Sequence, residues 1–148
     1  SGNGMAVFAL LRLGRLCSRE NFTSAGVKTL ELLSGQMARV SLASGQALMA
    51  LDDWLGPSDD VIIVDGTTSA TSQPFIDLLR QHFLPHLMMA RKHATSAGAV
   101  SLEASFAGKS ARDSEPTVYI CQRGICQEPI TQLSHLKEFV SNRMRLDL

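Results

Sequence analysis

GPSDDVIIVDGTT, residues 56–68, is where the chain changes character. Gly56-Pro57 is a glycine stop followed by a residue that cannot continue a helix. Val61-Ile62-Ile63-Val64 is then a short, wholly apolar, β-branched run, the pattern of a strand buried on both faces. Asp65-Gly66-Thr67-Thr68 turns the chain into a helix expected over about 73–83, with Phe75, Ile76, Leu79 and Phe83 inside and Pro85 closing it. Leu87-Met88-Met89-Ala90 reads as a second strand. Strand, helix and strand in that order argue for a parallel pair joined by a right-handed crossover.

Upstream of the break everything reads helical. Asn3 is placed as an N-cap, and Val7, Leu10, Leu11 and Gly14 recur at helical spacing until Ser18-Arg19-Glu20-Asn21. A second helix carries Phe22, Ala25, Val27, Leu30, Leu33 and Met37, and a third carries Ala47, Leu48, Leu51, Trp54 and Leu55. Short connections make these an antiparallel array. Three helices enclose only a thin core, so an exposed flank is expected to pack against something else. Downstream, residues 91–116 read as a loop with one helical turn near Leu102–Phe106. Thr117-Val118-Tyr119-Ile120 is a third strand, and Leu133, Leu136, Phe139 and Val140 mark a closing helix. The fold class is therefore α/β. Residues 1–56 form a segment of three antiparallel helices, and residues 57–148 a small, mainly parallel α/β domain with a cysteine-bearing hairpin.

Composition narrows the function. The 148 residues are 45% apolar and 19% charged, enough to bury a core. Fourteen basic and fourteen acidic residues cancel, which removes the electrostatic footprint of a nucleic-acid binder. Aromatic residues are only 5%, so a base-stacking platform is not expected. No apolar run approaches the roughly 20 residues of a membrane span. Three cysteines are unlike a dense secreted framework and point to a reducing, cytoplasmic compartment. The opening Ser1-Gly2-Asn3-Gly4 leads straight into a helix pattern, as in a piece cut from a longer protein.

The stretch YICQRGICQEP, residues 119–129, holds Cys121 and Cys126. Three readings stay open: two structural thiols, a reversible disulfide across a hairpin turned by Gly124, or a metal site. The third is short of ligands, since Cys121, Cys126 and His135 give three where structural zinc takes about four. Cys17 reads as a packing residue. Asp65, Gly66, Thr67 and Thr68 lie after a parallel strand, where α/β sheets place ligands, so they are candidate ligand-binding residues. Neither dinucleotide nor P-loop glycine pattern is present, and capping by the threonines and serines is the plainer reading. Asp65 alone reads as solvated or capping. His82 and His86 share i, i+4 spacing, but Pro85 separates them. Asp52-Asp53 beside Trp54 reads as a solvated helix end. No cofactor and no metal are expected.

From ALDDWLGPSDDVIIVDG through FIDLLRQHFLPH to PTVYICQRGICQEPITQLSHLKEFV, the chain resembles the C-terminal end of the YyaL-like, spermatogenesis-associated thioredoxin-domain proteins. The matching elements are Ser1-Gly2-Asn3, Leu10 to Leu16, Leu55-Gly56-Pro57, Val61 to Val64, Phe83-Leu84-Pro85-His86, and Tyr119-Ile120-Cys121 with Cys126 and Pro129. His86 stands where the family pattern has Asn, and Asp65 where it has Gly. The resemblance implies that residues 1–56 end an α/α toroid, that an N-terminal thioredoxin-like domain belongs to the parent, and that this part is non-catalytic. Its expected partners are the remainder of the parent chain, with self-association through the exposed helical face, and neither nucleic acid nor membrane. Two alternatives remain: part of a carbohydrate-binding or carbohydrate-processing toroid enzyme, and a redox-responsive module using Cys121 and Cys126.

Overall fold

The computed structural model describes residues 2–93 and 102–146, and the chain divides into two compact units, Ser1–Ser58 and Asp59–Leu148. The first contains α1 (Gly2–Leu16), α2 (Glu20–Arg39) and α3 (Gly45–Leu55). Buried Gly4 and Gly14 let α1 run close to α3 and α2, and the core is Val7, Leu11, Leu30, Met37, Ala47 and Ala50. Asn3 lies inside α1 rather than capping it. In α3, Ala47, Leu48 and Leu51 pack into the core as their spacing suggests, but the last turn departs from the pattern. Ala47, Ala50 and Asp53 point inward, while Trp54 and Leu55 face solvent.

The second unit is a four-stranded sheet with helices. Its elements are β1 (Asp59–Val64), α4 (Gln73–Arg80), β2 (Leu87–Lys92), α5 (Glu103–Phe106), β3 (Thr117–Gln122), β4 (Ile125–Cys126) and α6 (Leu133–Leu146). The part of the 91–116 loop between 94 and 101 lies outside the described residues. In the order β2-β1-β3-β4, only β1 and β2 are parallel, whereas β1–β3 and β3–β4 are antiparallel. The sheet is thus mixed and not mainly parallel. The reason is geometric. The chain leaves β2 at Lys92 and enters β3 at Thr117, which pairs with Val64 at the same end of the sheet, so β3 must run back.

Strand alternation sorts the side chains. Val61, Ile63, Val118 and Ile120 pack beneath α4 and α6 with Phe75, Ile76, Leu79, Leu136 and Val140. On the other face, Tyr119 Oη donates to the Ser110 carbonyl at 2.8 Å, and Lys92 Nζ donates to the carbonyls of Phe106 and Lys109. Helix α4 stops at Arg80, well before Pro85, and leaves Phe83 exposed. No helix among the described residues is long and apolar enough to cross a membrane.

Candidate functional site

The hairpin is built from its turn. Arg123 and Gly124 both take left-handed backbone angles, φ 48° and 82°, the pair of values that a two-residue type I′ turn requires and that glycine adopts without steric cost. That turn sets Gln122 opposite Ile125 and Cys121 opposite Cys126. The two cysteines form a disulfide, with Sγ atoms 2.01 Å and Cα atoms 3.9 Å apart. The Gln127 N–H donates to the Ile120 carbonyl at 2.9 Å, so the cysteines occupy the non-hydrogen-bonded position between two hydrogen-bonded pairs. Cys121 is only 6% exposed, while Cys126 stands at the exposed margin of the sheet. Cys17, half-buried just beyond α1, is a free thiol.

The loop after β1 is organised around Asp65, a carboxylate only 1% exposed and neither solvated nor capping. The β1–β2 register pairs Ile63 with Arg91 and Val64 with Lys92, so the next step along brings His93 beside Asp65. Arg91 Nε donates to Asp65 Oδ1 at 2.8 Å, Ser72 Oγ donates to the same oxygen at 2.5 Å, and His93 Nδ1 donates to Oδ2 at 2.8 Å. Arg91 Nη2 also donates to Ser72 Oγ at 3.0 Å and to the Ser69 carbonyl. Burial alone would raise the Asp65 pKa. The hydrogen bonds from Arg91, Ser72 and His93, with the Arg91 charge, outweigh it and hold the carboxyl below its ordinary value. Ser72 occupies the N-cap position of α4, yet its hydroxyl serves Asp65 rather than the helix.

The amides that could have cradled an anion are partly committed. Asp65 N–H donates to the Lys92 carbonyl and Thr67 N–H to the Ser114 carbonyl, each at 3.0 Å. Thr68 is exposed, and its carbonyl accepts from the Thr71 hydroxyl. Gly66 is there because the backbone of 114–116 passes over it: a Cβ would stand 2.6 Å from Ser114 O and 2.9 Å from Pro116 N. Gly66→Ala should therefore cost about 1–3 kcal/mol by forcing the two loops apart, measurable as a lower urea midpoint. A cleft of about 440 Å³ at the start of α6 is lined by Arg112, Asp113, Glu128, Ile130, Gln132 and His135.

Asp53 corrects the reading of a solvated helix end. It is 2% exposed, and Arg12 Nη2 donates to its Oδ1 at 2.9 Å while Arg15 Nη1 lies 3.4 Å from Oδ2. Arg12 in turn stacks over Phe8, 4.2 Å from the ring centre. An aspartate closed off in this way is not available to flank a glycosidic bond. His82 Nδ1 bonds the Leu78 carbonyl beyond the end of α4. Among the described residues no group of three or more His, Cys, Asp or Glu could hold a metal ion.

The structure therefore joins Cys121 to Cys126, buries Asp65, and leaves Thr67 and Thr68 at the surface. The sequence reading missed Arg91, Ser72 and His93. The signal for Arg91 and His93 was the Arg-Lys-His run that ends and follows β2, legible only once the parallel register is known; Ser72 carried none. No family model, curated protein or solved structure matches the chain.

Proposed function

We propose that this chain is a non-catalytic structural and interaction segment, the C-terminal part of a larger cytoplasmic thioredoxin-domain-containing protein of the YyaL-like kind. One observation carries the interaction reading. Leu42 is fully exposed, Leu32 is 84% and Leu55 64% exposed, and Met5 and Met49 are more than half exposed, all on the small helical unit. So much apolar surface on a unit of this size calls for a covering partner. In the parent that partner is the rest of the helical toroid; for the chain alone it is a second copy. Sedimentation across a concentration series should show self-association that Leu32→Glu with Leu55→Glu weakens by about tenfold or more. A monomer at every concentration would count against the reading, as would disulfide reduction of insulin by the chain alone.

A second reading is favoured by the hairpin: a redox-responsive module using Cys121 and Cys126. The bond closes a very short loop, so it removes little entropy from the unfolded chain and adds little stability. A disulfide in a reducing compartment is usually transient or sensing. Mass spectrometry across a series of glutathione redox buffers should show the 121–126 bond opening and re-forming.

A further inference from the structure

We infer that the hairpin disulfide is attacked at one sulfur only, Cys126 Sγ, by the thiolate of a dithiol protein docking along the free edge of β4. The inference rests on the redox reading and adds its direction and its partner. Thiol–disulfide exchange needs the incoming sulfur, the attacked sulfur and the leaving sulfur nearly in line. The bond joins two directly opposed strands. The line extended through Cys121 therefore runs back over β1, where Asp60 is its register partner, and Cys121 itself is buried. Extended through Cys126, the same line leaves the sheet beyond β4, the last strand in the order β2-β1-β3-β4.

The class of partner follows from the backbone. In a non-hydrogen-bonded pair the N–H and C=O groups point away from the facing strand. Those of Cys126 thus point outward, and a partner's extended segment can pair with them by strand addition. Ile125, 78% exposed and one position before Cys126 on the same edge strand, offers a docking segment an apolar contact that glutathione is too small to use. The electrons balance. The partner's first thiolate bonds to Cys126 Sγ, the Cys121–Cys126 bond breaks, and its electron pair leaves on Cys121 Sγ, which takes a proton. The partner's second thiol then displaces Cys126. The hairpin ends as two thiols and the partner as a disulfide.

The test uses the full chain carrying Cys17→Ala, with thioredoxin whose second active-site cysteine is replaced by serine as the trapping probe. Peptide mapping should find the mixed disulfide on Cys126. Intact thioredoxin should open the bond about tenfold or more faster than glutathione at equal thiol. As a second measurement, Cys121→Ser should take up glutathione from its disulfide at Cys126 about tenfold faster than Cys126→Ser does at Cys121. An adduct on Cys121, comparable rates for the two variants, or faster opening by glutathione overturns the inference while leaving a reversible disulfide in place. A chain whose 121–126 bond never opens in glutathione buffers removes both the inference and the redox reading beneath it.

Discussion

Asp53→Asn is expected to cost the helical unit about 3 kcal/mol, a large share of the stability of so small a core. The asparagine nearly preserves shape but removes the charge that Arg12 and Arg15 surround. Two partly buried guanidinium groups would then lose the buried carboxylate they face, and removing one side of a buried ion pair is its expensive half. Amide exchange over residues 2–58 in rising urea should show this loss locally, with the α/β unit unchanged. A compensating triple variant sharpens the test. Arg12→Met, Arg15→Met and Asp53→Leu together remove these three charges, and should recover much of the lost stability because hydrophobic contacts replace them. If Asp53→Asn shifts the midpoint no more than a surface substitution, about 0.5 kcal/mol, the cluster does not hold α1 to α3.

Asp65→Asn should cost the α/β unit a similar amount, about 3 kcal/mol, and should also change its response to acid. Asp65 is held ionised by Arg91, Ser72 and His93, so its folded pKa lies below the ordinary value of 3.8. A carboxyl whose pKa is lower in the folded state gives stability that is complete above the unfolded value. That stability is lost as the pH falls from near 3.8 through the folded value. Wild-type chain should therefore lose stability steeply on the acid side, and Asp65→Asn should show a shallower slope there from an already lower plateau. Urea midpoints measured between about pH 2 and pH 7 give both quantities. Parallel acid limbs for the two proteins would mean that the loop does not depend on the ionised carboxylate.

How much of this was legible in the sequence depends on what kind of force placed each residue. Val61 to Val64 and Thr117 to Ile120 announce themselves as strands because burial on both faces needs unbroken apolar or β-branched residues. The strand in fact begins at Asp59, which no propensity favours. Its buried carboxylate accepts from Gln122 Nε2 at 2.8 Å and from Arg143 Nη2 at 2.9 Å, and the second partner is 84 residues away. Likewise a pattern of apolar residues cannot orient a strand, so β3 carried no mark of running antiparallel to β1. In α3 the apolar pattern held for Ala47, Leu48 and Leu51 but not for Trp54 and Leu55, where the chain buries Asp53 against Arg12 and Arg15 instead. The cysteine hairpin was more readable, because Gly124 fixes a two-residue turn and the turn fixes which residues oppose. Whether opposed thiols join is a matter of distance, which spacing alone leaves open.

The Asp59–Arg143 pair has one more consequence. Asp59 opens the α/β unit and Arg143 lies in its last helix, with Arg143 Nε 2.6 Å from Asp59 Oδ2. The start of β1 and the later turns of α6 are therefore neighbours, clasped by a forked ion pair. A unit whose ends meet can be entered and left at a single point. It can be carried as a cassette in a loop of an unrelated host, or rewired with a short linker joining its ends and new termini opened at an exposed turn.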